Sequence, residues 1–466
     1  MRRTCNSIFA FNASFLLFTS TVSLLTACQV SVDYKVPIEL ASLTPTPTAP
    51  VVSKSLQKIA TGSGHTCAIL NSGAVKCWGS NSAGQLGYDD TVDRGKTAGD
   101  MAALANVNLG AGRTAQAIAL GGAFTCAILD TGAVKCWGRN WNGQLGYDDF
   151  ASRGHTAGSM ASLATVNIGA GRTAKAISAG NSHVCVILDT NAVKCWGNGG
   201  DGQLGNDSAD SGIGDGAGEM AALGTVNLGA GRTAKMIAAG GISTCAILDN
   251  DQVKCWGFNG EGHLGYDHYI NRGDTPGQMA ALGTVNLGAG RTAKAISINE
   301  THTCAILDTG AVKCWGASYY GETGYEDYNW RGGASGDMAA LTTVFLGAGR
   351  TAKEIQSGGT HTCAILDNDA VKCWGDNSSG QLGYDDTTER GSSAGTMTSL
   401  TSINLGSGRS AKNISIGYDF SCALLDNNEA KCWGNNSSGQ LGYDSTTAKG
   451  KFAGDMAALN SINVGD

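Results

Sequence analysis

The chain has 466 residues, a formal net charge of −7, and 69 glycines against only five prolines. The acidic balance and the lack of a Lys/Arg cluster in the body of the chain argue against a nucleic-acid-binding protein. With 42% hydrophobic residues and regular aliphatic runs, the chain is not a low-complexity tract either. Many short apolar runs between glycine turns predict an all-β fold.

The N-terminus predicts export. Met1-Arg2-Arg3 is a positively charged start, and the mostly apolar stretch 8–25 that follows it is typical of a secretory signal. The segment ends in Leu25-Thr26-Ala27-Cys28, which resembles the bacterial lipobox, where the signal is cut before a cysteine that becomes lipidated. We therefore expect residues 1–27 to be a lipoprotein signal peptide. Simple secretion and a transmembrane anchor are the alternatives.

Lipidated Cys28 would anchor the protein to the membrane through its acyl chains. The expected location is the extracytoplasmic side of a bacterial cell envelope, at the outer membrane or the cell surface. Residues 28–55 are rich in Pro, Thr and Ser and have no sustained period, so they predict a tether.

Fourteen further cysteines form seven pairs, and each pair has nine residues between its members. The first members are 59 or 60 residues apart, so the chain holds seven tandem units. Each pair flanks a three-residue turn such as Asn71-Ser72-Gly73, whose third position holds only Gly, Asn or Asp across the units. These residues tolerate positive φ, as the third residue of a three-residue hairpin must.

Such a turn places the two cysteines directly opposite one another on antiparallel strands, at disulfide distance. In an exported chain we therefore predict seven disulfides. The predicted pairs are Cys67–Cys77, Cys126–Cys136, Cys185–Cys195, Cys245–Cys255, Cys304–Cys314, Cys363–Cys373 and Cys422–Cys432.

Zinc is the alternative for these cysteines, because a histidine lies two residues before the first cysteine in four of the units. Two Cys and one His lack a fourth ligand, however, and three units have no histidine at this position. We predict no metal and no cofactor. The four histidines are His65, His183, His302 and His361, and the equivalent residues elsewhere are Phe124, Ser243 and Phe420.

A second hairpin is predicted in each unit, as at Val107–Leu109 and Arg113–Ile118 around a Gly-Ala-Gly turn. Four short strands repeated seven times predict a seven-bladed β-propeller of four-stranded antiparallel blades over residues 56–466. The last unit ends after its Val-Asn-Leu-like segment, and the first unit begins without one. We therefore expect strands from the N- and C-terminal ends to pair and close the ring.

The motifs Gly64-His65-Thr66, 75–79 and Gly84-Gln85-Leu86-Gly87 resemble the repeat of the regulator of chromosome condensation family, which consists of seven-bladed propellers. The resemblance covers residues 56–466. The paired cysteines and the insert Arg94–Leu104 look like the variant of secreted bacterial members, one of which inhibits β-lactamases. The eukaryotic founder promotes nucleotide exchange on a small GTPase, and the predicted export argues against that role here.

No polar constellation stands apart from the repeat, so we predict no catalytic residue and no enzyme activity. Asp pairs such as Asp89-Asp90, Asp148-Asp149 and Asp385-Asp386 recur after a tyrosine. They predict turn capping and hydrogen bonds to loop backbone. A calcium site is the alternative.

The loops that follow each Trp-Gly are small and polar in units 1, 6 and 7, are rich in glycine in unit 3, and carry aromatic residues in units 2, 4 and 5. Exposed rings on loops held by a rigid scaffold are typical of binding hot spots. We therefore predict a partner-binding surface over units 2 to 5, with sequence drift as the alternative. The candidates are Trp141, Phe150, Phe258, His263, His268, Tyr269, Tyr319, Tyr320, Tyr328 and Trp330.

Together these features predict a lipid-anchored, extracytoplasmic binding module for an unidentified protein, acting as an interaction scaffold or as an inhibitor of that partner. A propeller that binds glycan or cell wall is the first alternative. An exchange-factor-like regulator is the second.

Overall fold

The computed structural model describes residues 56–209 and 212–464. The predicted signal peptide, the lipidation site Cys28 and the tether lie outside the described residues. None of the helices in the described ranges has the length and apolar character needed to cross a membrane.

The described residues form 21 strands and three one-turn helices. The strands of the first four units are β1 (Leu56–Thr61), β2 (His65–Leu70), β3 (Val75–Gly79), β4 (Ala115–Leu120), β5 (Phe124–Leu129), β6 (Val134–Gly138), β7 (Ala174–Ala179), β8 (His183–Leu188), β9 (Val193–Gly197), β10 (Ala234–Gly240), β11 (Ser243–Leu248) and β12 (Val253–Gly257). Those of the last three units are β13 (Ala293–Ile298), β14 (His302–Leu307), β15 (Val312–Gly316), β16 (Ala352–Ser357), β17 (His361–Leu366), β18 (Val371–Gly375), β19 (Ala411–Ile416), β20 (Phe420–Leu425) and β21 (Ala430–Gly434). The helices are α1 (Glu219–Ala222), α2 (Gln278–Ala281) and α3 (Asp337–Ala340).

Consecutive strands make seven antiparallel sheets of three strands each, in the order β1-β2-β3 and its equivalents. The prediction of seven antiparallel blades is confirmed, but the predicted fourth strand is wrong. In the first unit, Val107 N–H donates to Val75 O at 2.8 Å, and Gly79 pairs with Arg94 in an isolated bridge. Between these contacts, Cys77 N–H donates to the Tyr88 hydroxyl at 2.9 Å. Three separate contacts thus satisfy the outer edge of β3, and no continuous strand forms there.

The predicted hairpin between residues 107–109 and 113–118 is wrong for the same reason. Val107 bonds β3 of its own sheet, whereas β4 pairs with β5 in the next sheet. The glycine turn between them therefore carries the chain from one blade to the next.

All seven predicted disulfides are present, with Cα–Cα distances of 4.0 to 4.1 Å. In the first unit, Cys67 lies directly opposite Cys77, as the turn predicted. Cys77 directs its backbone N–H and C=O to Tyr88 rather than to β2. The cysteines therefore occupy a non-hydrogen-bonded pair, in which opposite side chains are closest.

The core lies between neighbouring sheets. Apolar side chains of one sheet, such as Ile69 and Val75, pack against those of the next, such as Ile118 and Trp137. The tryptophan after each second cysteine is fully buried, and Trp137 Nε1 donates to Gln85 O of the preceding unit at 3.0 Å. Burial of these large rings against an aliphatic neighbour provides much of the stabilisation between blades.

The first and seventh sheets are in contact in the same way. Trp78 Nε1 donates to Gln440 O at 3.0 Å, and Ile59 and Trp78 share a cluster with Phe420 and Ile462. Ile462 N–H donates to Ala430 O within its own sheet. Within the described ranges, the terminal strands do not pair with each other as predicted. Packing of the kind that joins the other neighbouring sheets joins the two ends instead.

The first strand of each sheet, from β1 to β19, lines a central channel. Because the strands alternate in direction, the third strand ends at the same side as the turn between the first two strands. Ser80 N–H accordingly donates to Gly64 O at 2.9 Å. We call this side, with the loops after each Trp-Gly, the loop face, and the opposite side, with the turns between the cysteines, the hairpin face.

Candidate partner-binding surface on the loop face

Each loop leaves its blade through a glycine whose conformation is fixed. Gly79 has φ of 101°, and a Cβ there would lie 2.7 Å from Gly64 O and 2.8 Å from His65 Cα. A side chain cannot be placed in that space, so the glycine of each Trp-Gly sets the direction in which the loop begins.

Side-chain hydrogen bonds then hold the loop rigid. Asn81 accepts from Leu86 N–H at 2.9 Å and donates to Asp90 O at 3.0 Å. Arg94 makes two bonds to the Asp90 carboxylate, at 3.0 and 2.7 Å, and its guanidinium lies 4.7 Å from the centre of the Tyr88 ring. Such bidentate pairs combine strength with fixed geometry.

The first aspartate of each Asp pair reaches the next unit. Asp89 has φ of 61° and accepts from Gly158 N–H at 3.1 Å and from Met160 N–H at 2.8 Å. Asp444 makes the same bonds to Gly99 and Met101 across the contact between units 7 and 1. The predicted role in turn capping is confirmed. Among the described residues, no group of three His, Cys, Asp or Glu side chains could hold a metal ion.

The histidines before the cysteines serve packing between blades. His65 Nε2 lies 3.0 Å from Thr125 Oγ1 of the next unit, and His361 Nε2 lies 3.0 Å from Ser421 Oγ. Burial lowers the pKa of His65 to about 3 and that of His361 to about 4. The rings are therefore neutral, and they bond hydroxyl groups of the neighbouring blade.

Seven of the ten candidate side chains are exposed. They are Trp141 (67%), Phe150 (59%), Tyr269 (48%), Tyr319 (44%), Tyr320 (40%), Tyr328 (53%) and Trp330 (40%).

Unit 5 carries four of these exposed rings, and two of them are in contact. Tyr319 and Trp330 meet edge to face with ring centres 5.3 Å apart. The buried Glu322 carboxylate accepts from Tyr319 N–H at 3.0 Å and from Tyr320 N–H at 2.7 Å, which fixes the backbone that carries both tyrosines. Burial raises the pKa of Glu322 to about 7. We call Tyr319, Tyr320 and Trp330 the aromatic shelf.

The candidates of unit 4 do not form one surface. Tyr269 lies against Gly333 of the next unit, and Phe258 is half-buried, with its ring centre 5.9 Å from that of His263. His268 is half-buried, and its Nε2 lies 2.6 Å from Arg272 Nη2. His263 is fully buried, so it has no surface that a partner could contact.

His263 is buried because it replaces the glutamine of the Gly-Gln-Leu-Gly motif. Its Nε2 lies 2.9 Å from Ser243 Oγ, and its carbonyl accepts from Thr303 at 2.8 Å, as Gln85 O accepts from Thr125. The motif alignment alone could have placed this residue inside the blade.

Unit 2 presents Trp141 beneath a cation of its own loop. The Arg139 guanidinium lies 4.4 Å from the centre of the Trp141 ring, so this face of the indole already has a partner. Phe150 is exposed at the same loop.

Two large exposed rings and one acidic residue of the loop face escaped the comparison of loops. Tyr418 is 46% exposed and Phe452 69% exposed, both in unit 7, which that comparison described as small and polar. Tyr418 and Glu300 lie in the turn between the first two strands of their units. Comparing that turn across the units, from Ser63 and Gly122 to Glu300 and Tyr418, would have found them.

A family model described as an RCC1-like domain matches residues 32–390, and a regulator of chromosome condensation (RCC1) repeat matches residues 411–440. The Ultraviolet-B receptor UVR8 of Arabidopsis thaliana is 26% identical over 82% of this chain and 78% of its own. Human WBSCR16 superposes with a TM-score of 0.64 at 17% identity, over 83% of this chain and 92% of its own. Prp20p of Saccharomyces cerevisiae superposes with a TM-score of 0.59 at 19% identity, over 78% and 81%.

Proposed function

Because this chain belongs to the family of RCC1-like repeat proteins, we propose that it is a non-catalytic binding module whose loop face captures a partner protein. The observation that carries the proposal is the aromatic shelf of unit 5. Its three rings are 40 to 44% exposed on one loop, and two of them are in contact; grouped exposed apolar surface of this kind is typical of an interaction site.

The shelf has the physical properties of a binding hot spot. Tyr and Trp provide large contact area with few rotatable bonds, so little conformational entropy is lost when they are covered. Glu322 holds the backbone of Tyr319 and Tyr320, and Trp330 contacts Tyr319 edge to face. A partner would therefore meet a surface that is already ordered.

A protein is the partner class we favour. The yeast relative Prp20 has been solved bound to Kap60, and its crystal structure has also been described together with its binding properties to Gsp1p and histones. Those partners belong to Prp20, but they support a propeller of this fold as a scaffold for protein interaction.

We further propose that the protein is exported and held at a bacterial cell envelope by lipid on Cys28. The sequence of residues 1–28 supports this location. Seven cystine bridges support it as well, since disulfides persist in oxidising compartments. Incorporation of labelled palmitate into the wild-type protein but not into Cys28→Ser tests the anchor. Equal labelling of the two would contradict it.

The binding function is tested by capture from bacterial envelope extract on the immobilised protein. The variant Trp141→Ala/Tyr320→Ala/Trp330→Ala should lose the captured protein. The control Phe345→Ala removes an exposed ring on the hairpin face, because its neighbour Val344 bonds the first residue of β15. This control should still capture the protein. Equal capture by all three proteins would contradict the proposal, and binding to a glycan array in place of protein capture would favour the glycan-binding alternative.

A further inference from the structure

The loop-face end of the central channel combines exposed tyrosines with acidic side chains. Tyr418 and Asn181 line this end of the channel. Tyr418 is 46% exposed and Tyr320 is 40% exposed, and Tyr418 interacts electrostatically with both Glu300 and Tyr320. We call Glu300, Tyr320, Tyr418 and Asp419 the channel mouth.

The Tyr418 ring is held in place by the neighbouring blade. Gly359 N–H donates to Tyr418 O at 3.2 Å, and a Cβ on Gly359 would lie 3.1 Å from Tyr418 Cδ2. Any side chain at position 359 would press on the ring. Glycine there lets the phenol lie against the backbone of unit 6 and leaves its other side open.

The acids around this ring have neutral partners only. Glu300 accepts from Asn181 Nδ2 at 2.5 Å, and Asp419 accepts from Asn435 Nδ2 at 2.6 Å. Glu261, beside the aromatic shelf, accepts from the Tyr319 hydroxyl at 3.2 Å. Within residues 56–209 and 212–464, none of these three carboxylates belongs to an ion pair.

The arginines of the adjoining loops do not supply the missing positive charge. Arg331 makes two bonds to the Asp327 carboxylate and lies 4.3 Å from the centre of the Tyr325 ring. Arg390 is held in the same way by Asp386 and Tyr384. Their guanidinium groups are fixed within their own loops.

Negative charge therefore accumulates at the mouth. The Glu300 carboxylate is the main cause that raises the pKa of the Tyr418 phenol. Burial, and then the charge of Asp376, raises the pKa of Asp419. Burial also raises the pKa of Glu261, with a contribution from Glu300. An added cation would relieve this like-charge repulsion.

We infer that the channel mouth binds a lysine- or arginine-bearing segment of the partner protein, with the cation between the tyrosine rings and the carboxylates of Glu300 and Asp419. The inference rests on the proposed function and names the chemistry of its partner. Aromatic faces attract cations through their quadrupole, and carboxylates add a charge-assisted hydrogen bond. Tyr319 and Trp330 of the aromatic shelf, which shares Tyr320 with the mouth, would pack the apolar part of the same segment.

The test uses the full chain and a fluorescent peptide of alternating lysine and serine, with the same peptide acetylated on every lysine as its neutral counterpart. Binding is measured by fluorescence anisotropy at low and at physiological salt. The variant Glu300→Gln/Asp419→Asn removes two charges from the mouth without changing side-chain shape. The control Asp130→Asn/Asp308→Asn removes two charges at surface pairs with Arg113 and Arg291, remote from the mouth.

We expect the mouth variant to weaken binding of the lysine peptide at least about tenfold, and the remote variant to change it less than about twofold. Tyr418→Leu should weaken binding as well. Equal losses in both charge variants would mean that net charge alone attracts the peptide, and would overturn the inference. Equal binding of the acetylated peptide would overturn it too, and thermal melting checks that each variant is folded.

The two proposals can fail separately. If envelope capture depends on the aromatic shelf but the lysine peptide shows no dependence on Glu300 and Asp419, only the inference about cation recognition fails. If the peptide result holds while Trp141→Ala/Tyr320→Ala/Trp330→Ala still captures every envelope protein, the proposed role of the shelf fails instead.

Discussion

The interior of the blades and the loop face behave in opposite ways across the seven units. Inside the blades, every cysteine pair has a Cα–Cα distance of 4.0 to 4.1 Å and every neighbouring tryptophan is fully buried. On the loop face, equivalent positions of the repeat carry different residues: Tyr320 in unit 5 corresponds to Ser379 in unit 6. Each unit packs against a neighbour with nearly the same interior, so a change inside one blade must also fit the next blade. The loops do not have to meet this requirement and are free to differ. In a repeat protein, residues that depart from the repeat are therefore the ones to examine for binding.

Removing a disulfide should have the largest effect on stability, and the same effect in different units. We expect Cys304→Ala/Cys314→Ala in unit 5 and Cys363→Ala/Cys373→Ala in unit 6 each to lower the free energy of unfolding by about 3 kcal/mol, because each bridge closes a loop of similar length. Urea denaturation measures both. A difference of more than about 1 kcal/mol between the units would break the equivalence of the blade interiors.

Exchanging one buried residue between the same two units should have a comparable effect, but one that depends on pH. The pKa of Glu322 is about 7 in the folded protein, above its ordinary 4.5, so its stabilising contribution is present below pH 4.5 and is lost as the pH rises through 7. Glu322→Gln should therefore stabilise the protein by about 3 kcal/mol at pH 8 relative to pH 4.5. The reverse change in unit 6, Gln381→Glu, should destabilise it at pH 8. A difference in unfolding free energy from the wild type that stays the same at pH 4.5 and pH 8, in either variant, would contradict this account.

The histidine between blades should set a pH slope of the opposite sign. Burial lowers the pKa of His361 from 6.5 to about 4, so its contribution is present above pH 6.5 and is lost as the pH falls toward 4. Replacing it with the phenylalanine found in units 2 and 7, His361→Phe, should reduce the slope of unfolding free energy in this window by up to about 1.4 kcal/mol per pH unit. Denaturation at several pH values measures the slope, and an unchanged slope would show that the ring is already charged or exposed.

The smallest effect on stability should accompany the largest difference in binding. Tyr320→Ala in unit 5 and Ser379→Ala in unit 6 alter equivalent positions of the loop face, and each should change the free energy of unfolding by less than about 0.5 kcal/mol. Only Tyr320→Ala should weaken partner capture, by at least about tenfold. Equal capture by both variants would remove the distinction between the two loops.

The sequence predicted the parts of the fold that short-range geometry controls. The third position of the turn requires positive φ, which Gly, Asn and Asp tolerate. The turn places Cys67 opposite Cys77, as observed. The fourth strand could not be predicted correctly, because the Tyr88 hydroxyl takes the backbone bonds of Cys77 that such a strand would have made. The exposed rings of unit 5 were found from the loop pattern. Their edge-to-face contact depends on the path of the loop between Tyr319 and Trp330, and the approach of Tyr418 to Glu300 joins residues far apart in the chain. The three-dimensional structure was needed to find both.

The confinement of each cystine to one hairpin bears on how the protein acquires its bonds. Cys77 lies ten residues from its partner Cys67, whereas the nearest cysteine of the next unit, Cys126, lies 49 residues away (126 − 77). Because the entropy of loop closure grows with loop length, the native pairing is favoured about tenfold over that neighbour by chain statistics alone. Oxidation can therefore proceed hairpin by hairpin, with little shuffling among these fourteen thiols, before the blades have assembled.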